Sequence, residues 1–181
     1  MTYIKTEFEK KLKDLGFSYQ CNTDGFYILS QNNDTDSIIN AQLILSEPID
    51  EVIHGSRNNN KIQAIGCFKL RLPIENITPE FLILAFQNIS KHSVEFIIIP
   101  TKELKRRLVG SNRISTDNQE VEIVFWLMVD DNNDNRLYDC THIGIEWEWY
   151  YLSLGKNGRM ADKTDMDFTE YLNNWNGLKM I

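Results

Sequence analysis

Residues 79–108 read PEFLILAFQNISKHSVEFIIIPTKELKRRL, and they join two strongly apolar segments to a short basic one. The apolar segments, 81–86 and 94–99, are rich in strand-forming residues and have too few polar residues for a sheet with one solvated face. They predict an α/β or α+β domain with a mixed central β-sheet that helices flank. A helix over 79–86 is the alternative, because a short apolar run does not distinguish a strand from a buried helix by periodicity alone.

A proline and a threonine separate the second apolar segment from the basic one. Pro100 cannot donate to a β-ladder, so the strand should end there, and Thr101 is predicted to cap a helix near 102–108. Positive charge is concentrated here, although the chain has a formal net charge of -7. The cations are Lys102, Lys105, Arg106, Arg107 and Arg113, against the single acid Glu103. Positive charge concentrated in a chain whose net charge is negative predicts a phosphate-binding surface, whereas a solvated helix face is the simpler interpretation.

The length and composition are typical of one ordered domain. With 181 residues, of which 42% are hydrophobic, and only four prolines, the chain can bury a substantial core. No apolar run approaches the roughly 18 residues of a membrane span, and the N-terminus lacks the pattern of a secretory signal. We therefore expect a cytoplasmic protein without membrane association. A single domain over 1–181 is predicted, in which 116–181 add strands and a short helix to a core over 1–115.

The remaining elements follow from the spacing of apolar residues. Helical spacing with Lys and Glu between the apolar positions predicts an N-terminal helix over 3–15. In 61–72 the residues alternate between an apolar face and a mostly polar one. The acidic run 130–135 lacks the glycine and the closing glutamate of a calcium loop, which favours a hairpin tip. Further strands are predicted at 26–30, 38–45, 121–129, 136–138 and 145–152, and a short helix near 167–174.

Cysteines and aromatic residues are assigned to packing. The three cysteines, Cys21, Cys67 and Cys140, are widely spaced and predict reduced thiols that act as small buried hydrophobes. The aromatic residues of the C-terminal part are predicted to form a second core cluster beneath the last helix, with stacking of nucleic-acid bases as the alternative. These aromatic residues are Trp126, Trp147, Trp149, Tyr150, Tyr151 and Trp175.

The order of the elements forms a recognisable pattern. A helix, a hairpin, a polar-faced strand and two apolar segments precede the basic helix, and residues 98–104 read IIPTKEL. Over roughly residues 4–110 this order resembles the restriction-endonuclease-like, or PD-(D/E)XK, nuclease superfamily, several members of which end a strand with a similar turn. The resemblance implies a scaffold that binds DNA and that, with an intact active site, cleaves it with Mg²⁺.

The resemblance also implies which residues to test for catalysis. In that family an Asp at the start of one strand, and an acid or Gln two residues before a Lys on the next, bind the divalent metal and orient water. These roles fall to Asp36, as metal ligand, and to Gln63 and Lys69; Asp24 is the other candidate for the first Asp. Ile65 stands where the family has its lysine, and Lys69 lies about 20 Å from Gln63 along a strand. This departure favours nucleic-acid binding as much as cleavage.

Two alternatives to this site and function remain. Glu146 and Glu148 alternate with Trp147 and Trp149, so both carboxylates would point to one strand face, where they could bind a metal or act as acid and base. A solvated face over an aromatic core is the ordinary interpretation. The alternative function is a non-enzymatic interaction module, for example an immunity-type protein, without a cofactor. Its negative net charge would suit a basic protein partner.

Overall fold

The computed structural model describes residues 2–22, 24–31, 38–47, 62–71, 77–88, 91–110, 120–129, 134–141 and 166–179. The helices in these ranges are α1 (Thr2–Asp14) and α2 (Thr101–Gly110). The strands are β1 (Phe17–Cys21), β2 (Phe26–Gln31), β3 (Ile38–Leu45), β4 (Ile62–Arg71), β5 (Phe81–Asn88), β6 (Ser93–Pro100), β7 (Glu120–Val129) and β8 (Asn135–Asp139). Two 3-10 turns, Thr169–Tyr171 and Trp175–Lys179, follow. Neither helix is long and apolar enough to cross a membrane.

The strands form two sheets. Five strands form a mixed sheet in the order β1-β2-β3-β5-β6, in which only β3 and β5 are parallel. The other three form an antiparallel sheet in the order β4-β7-β8. The predicted mixed α/β class is therefore confirmed. The polar-faced strand β4 belongs to the three-stranded sheet and not to the five-stranded one. Shortly after β3, the Glu47 amide donates to the Cys67 carbonyl of β4 at 2.7 Å.

The five-stranded sheet is covered on both faces along β5. α1 packs on one face through the buried Phe8 and Leu12, and the three-stranded sheet packs on the other. All residues of 81–86 are buried, as expected for a strand with two covered faces, and the alternative helix over 79–86 is wrong. β6 lies at the edge of this sheet instead of at its centre.

β4 confirms the predicted alternation and adds an irregularity at its start. Ala64, Phe68 and Leu70 are buried in the core between the sheets, whereas Lys69 on the other face is exposed. The pairing with β7 shifts register between Ile62 and Ala64. Because such a bulge turns the residues before it to the opposite face, Ile62 packs on the outer side of the three-stranded sheet.

Gly66 lies in β4 where two aromatic rings leave no space for a side chain. A Cβ at this position would lie 2.8 Å from the ring of Phe68 and 3.0 Å from that of Phe86. We expect Gly66→Ala to lower the free energy of unfolding by about 1–3 kcal/mol, because both rings are in the core and would have to shift. Urea unfolding measures this loss. The control is Gly177→Ala, where the nearest atoms lie 4.0 Å away, and equal stability of the two variants would contradict the prediction.

Residues 166–179, which we call the C-terminal clasp, pair with one edge of each sheet. At the edge of the three-stranded sheet, the Phe168 amide donates to the Leu137 carbonyl at 2.8 Å. At the edge of the five-stranded sheet, the Asn173 amide donates to the Phe96 carbonyl at 2.6 Å. The clasp therefore covers the unpaired backbone groups of β8 and β6, and this explains why β6 is buried although it lies at an edge.

The clasp does not form the short helix predicted near 167–174. It contains two 3-10 turns, and between them Asn173 has a positive φ of 50°, which interrupts any regular helix. The physical reason is competition for hydrogen bonds, because two amides of the clasp, those of Phe168 and Asn173, donate to strand edges instead of to the preceding turn. Edge pairing, which no local pattern reveals, overrides the helical spacing.

Two packing predictions are corrected. Trp126 and Trp175 belong to different clusters, one on the outer side of the three-stranded sheet and one beneath α1, so they do not form the predicted common aromatic core. The other four aromatic residues of that prediction lie outside the described residues, as does the strand predicted at 145–152. Cys140 is buried and Cys67 half-buried, but Cys21 is exposed, and all three are free thiols.

Candidate nucleic-acid interface

The basic helix α2 has one apolar face and one exposed face. Leu104 and Leu108 are buried in the core between the two sheets. Lys102, Arg106 and Val109 are exposed, and their spacing of four and three residues places them on one side of the helix. We call these three residues the exposed stripe. A surface of this shape can contact a partner along the length of the helix.

α2 begins directly where β6 ends. The strand ends at Pro100, as predicted, and the Thr101 amide donates to the Glu80 carbonyl at 2.8 Å. The predicted cap is wrong, because the Thr101 hydroxyl is buried and has no hydrogen-bond partner among the described residues. Thr101 is already the first helical residue, so its side chain turns towards the core. Further along the helix, Lys105 Nζ donates to the Ile77 carbonyl at 3.0 Å.

Glu103 organises the positive charges of α2. Its carboxylate accepts two hydrogen bonds from Arg106 and one from Arg107, each at 2.8 Å. The hydrogen bonds from Arg106, opposed by burial and reinforced by Arg107, lower the pKa of Glu103 to about 2. The carboxylate therefore stays ionised throughout the physiological pH range and holds both guanidinium groups.

Replacing Glu103 should change how the free energy of unfolding depends on pH. A pKa of about 2 in the folded protein, against an ordinary 4.5, means that the folded state binds this proton less tightly than the unfolded state. Its contribution is complete above about pH 4.5 and is lost as the pH falls towards about 2. We expect Glu103→Gln to destabilise the protein at about pH 6 but much less at about pH 3.

Urea titrations at the two pH values measure this difference. Glu7→Gln on α1 controls for the general loss of one carboxylate from an acidic chain. A loss of stability from Glu103→Gln that is the same at both pH values would contradict the prediction.

Arg107 is built into the fold. Only 9% of its side chain is exposed. Besides Glu103, it donates from Nη1 to the Asp167 carbonyl at 2.6 Å and from Nη2 to the Glu170 carboxylate at 2.9 Å. Its guanidinium carbon lies 4.5 Å from the centre of the Phe168 ring, in a cation–π contact. These contacts attach the C-terminal clasp to α2.

The five cations predicted to bind phosphate therefore differ in their surroundings. Lys102 and Arg106 lie on the exposed stripe, Lys105 is half-buried, and Arg107 holds the clasp. Arg113 lies outside the described residues. The role in phosphate binding stays a prediction, and among the described cations of α2 it concerns chiefly Lys102 and Arg106.

The residues predicted to be catalytic do not assemble at α2 within the described ranges. Gln63 is half-buried at the bulge of β4, and Lys69 is exposed on the face of β4 that points away from the core holding α2. Asp36, Glu146 and Glu148 lie outside the described residues. Among the residues that the structure does describe, no group of three or more acidic, histidine or cysteine side chains could hold a metal ion.

A cavity beside Arg107 adds an arginine that the sequence did not single out. It has a volume of about 490 Å³ and is lined by Arg107, Arg136, Asp167, Thr169 and Glu170. Arg136 lies in β8, far from α2 in the sequence, and the clasp residues Asp167, Thr169 and Glu170 line the cavity with it. Two arginines face two carboxylates, so the cavity has no net formal charge with which to attract an anion.

The described surface of α2 carries its exposed positive charge on one side of the helix. Lys102 and Arg106 offer positive charge on one side of a helix that is fixed on its other side by buried leucines. The fold places the stripe at the end of β6, next to Glu80.

The chain significantly matches no protein-family model, no curated protein and no solved structure.

Proposed function

We propose that this protein binds nucleic acid in the cytoplasm, through the exposed stripe of α2, on a scaffold of restriction-endonuclease-like type. One observation carries the proposal. α2 holds four cations against one acid in a chain of net charge -7, and two of these cations, Lys102 and Arg106, are exposed opposite its buried leucines. Positive charge concentrated on one helix of a protein with negative net charge directs a polyanion to that place on the surface.

The ion pair between Arg106 and Glu103 is compatible with this role. The Arg106 side chain is 62% exposed, and an ion pair of that exposure contributes at most about 1 kcal/mol. Arg106 can therefore exchange the carboxylate for a phosphate at little cost. Arg107 keeps its bonds to the Asp167 carbonyl and to Glu170, so the helix stays attached to the clasp during the exchange.

Magnesium-dependent cleavage is the enzymatic form of this proposal. Its predicted metal ligands, Asp36 or the pair Glu146 and Glu148, are carboxylates, which hard cations prefer, and they lie outside the described residues. Incubation of plasmid DNA with Mg²⁺ or Mn²⁺ tests it. Cleavage that is lost in Asp36→Ala would indicate a nuclease, and binding without cleavage would indicate a derivative that only binds.

Binding itself is tested by fluorescence anisotropy of labelled DNA at increasing salt concentration. We expect the combined change Lys102→Ala and Arg106→Ala to weaken binding by at least about tenfold and to lower the salt slope by about 2, one for each lost phosphate contact. The matched control is Lys10→Ala with Lys13→Ala, which removes two exposed lysines from α1.

Two outcomes would remove the proposal. One is the absence of binding at low salt, and the other is an equal loss of affinity in the α1 control, which would indicate unspecific attraction. The interaction module with a basic protein partner would then be the better hypothesis. Circular dichroism of each variant shows whether it is folded before its affinity is compared.

A further inference from the structure

Part of the five-stranded sheet is left open by the three-stranded sheet. As far as the described residues show, the core between the sheets contains side chains from β5 and β6 but none from β1 or β2. On β1, β2 and β3, alternate residues such as Tyr27, Leu29 and Ile39 are buried against α1, so the residues between them stand on the opposite face. We call this the open face. Its register rows are Ser18–Ser30–Ile38, Gln20–Ile28–Asn40 and Phe26–Gln42.

The composition of the open face is unusual for a solvated sheet. None of its eight residues is charged, although 25% of the residues in the chain are charged. Ile28 and Ile38 are 47% and 53% exposed and lie in adjacent rows. The side-chain amides of Gln20, Asn40 and Gln42 belong to the same face. Exposed apolar residues grouped with uncharged hydrogen-bonding groups are typical of a binding surface.

The open face continues into the start of α2. The backbone amide of Asn40 donates to the Glu80 carboxylate at 2.7 Å, and the backbone amide of Glu80 donates to the Asn40 backbone carbonyl at 2.8 Å. On its other side the Glu80 carbonyl accepts from the Thr101 amide at 2.8 Å. Since bonded neighbours in a sheet lie about 4.8 Å apart, Asn40 and Thr101 are within about 10 Å of each other. Lys102 is the next residue, so the exposed stripe begins beside the row that contains Ile28.

We infer that the open face binds the unpaired bases of a single-stranded nucleic acid whose phosphates contact the exposed stripe of α2. This inference rests on the proposed function of α2. Phe26 and the isoleucines offer apolar contact to the faces of bases, and the amides can bond to base edges. A duplex hides its base faces inside the stack, so it would use the phosphate contacts alone.

The charges around the open face agree with this occupant. Its eight residues contribute no carboxylate that would repel a polyanion, and at its border with α2 the Glu80 carboxylate accepts a hydrogen bond from the Asn40 backbone amide. A protein partner of either sign would find no complementary charge on this face. The combination of an uncharged face with cations at one end suits a chain of neutral bases on a charged backbone.

Three labelled probes of equal length test the inference. They are a single-stranded oligothymidine, its duplex with oligoadenosine, and an abasic oligonucleotide that has the same number of phosphates but no bases. We expect the wild-type protein to bind the oligothymidine at least about tenfold more tightly than the abasic strand or the duplex. Ile28→Ser and Ile38→Ser, made separately in case one does not fold, should each reduce this preference several-fold. Tyr3→Ser on α1, where the side chain is 48% exposed, is the matched control and should leave it unchanged.

The outcomes distinguish this inference from the proposed function. If all three probes bind equally, or if neither Ile28→Ser nor Ile38→Ser changes the preference, the open face does not bind bases. The proposed function then still stands, provided that the double change at Lys102 and Arg106 weakens every probe. No binding of any probe overturns both. A change in sedimentation of the Ile28 or Ile38 variants, with binding of oligothymidine intact, would assign the face to protein contacts instead.

Discussion

Arg107→Ala should destabilise the protein more than any other single change considered, with a loss of about 3–5 kcal/mol in the free energy of unfolding. The guanidinium is 9% exposed and bonds to Glu103, the Asp167 carbonyl and Glu170. Its removal takes away one of the three hydrogen bonds to Glu103 and the bonds to the Asp167 carbonyl and Glu170, and it deletes the contact with the Phe168 ring. Thermal or urea unfolding, followed by circular dichroism, measures the loss.

Two variants separate the geometry of Arg107 from its charge. Arg107→Lys keeps one positive charge but cannot reach three acceptors from a planar fork, so we expect a smaller loss of about 1–3 kcal/mol. Arg106→Ala removes the other partner of Glu103. Because the Arg106 side chain is 62% exposed, this change should lower the free energy of unfolding by less than about 1 kcal/mol. Similar stability of Arg106→Ala and Arg107→Ala would show that Arg107 does not hold the clasp.

This prediction determines how binding experiments should be designed. Of two adjacent arginines, only Arg106 lies on the exposed stripe, and loss of binding in a variant of Arg107 would report unfolding. The binding test therefore combines Arg106 with Lys102.

Asn173→Ala should lower the free energy of unfolding by about 2–4 kcal/mol. The Asn173 side chain accepts from the Phe96 amide at 3.0 Å and donates to the Glu95 carboxylate at 2.7 Å. Glu95 is 6% exposed, and its other hydrogen bonds come from Asn88 and Ser93. The substitution leaves the backbone amide of Phe96 without its side-chain acceptor and the buried carboxylate of Glu95 with one donor fewer. Such losses cost more free energy than the loss of an exposed hydrogen bond. Urea unfolding measures the loss.

The matched control is the neighbouring residue. Asn174 is exposed and donates to the Glu170 carbonyl at 2.9 Å, so Asn174→Ala should cost less than about 1 kcal/mol. Asn173→Gly removes the same side chain but suits the φ of 50°, and should be less destabilising than Asn173→Ala. If Asn173→Ala and Asn174→Ala unfold at the same urea concentration, the side chain of Asn173 does not secure the edge of β6.

Much of the fold is predictable from local sequence. The continuous apolar run 81–86 predicts a strand buried on both faces, the alternation of 61–72 predicts one with a single core face, and Pro100 predicts where β6 ends. The structure confirms all three. Each of these features depends on residues within a few positions of one another, so a sequence window contains the information.

The candidate site is predictable only in part. A basic helix after β6 follows from the sequence, but the sequence does not distinguish Arg106 from Arg107. The burial of Arg107 comes from the clasp, whose carbonyl at Asp167 is 60 residues away along the chain. The open face is equally distant from α2 in sequence, and the parallel pairing of β3 with β5 brings Asn40 towards Thr101.

Local sequence patterns are enough to predict α1, α2, most strands, the mixed α/β class and the concentration of positive charge at α2. Three features depend on tertiary contacts. They are the place of β4 outside the five-stranded sheet, the pairing of residues 166–179 with two sheet edges instead of a helix, and the burial of one of two adjacent arginines. The physical reason is the range of the forces involved. Propensity and periodicity act over a few residues, whereas sheet pairing, edge closure and the burial of charge arise from contacts between residues far apart in the chain.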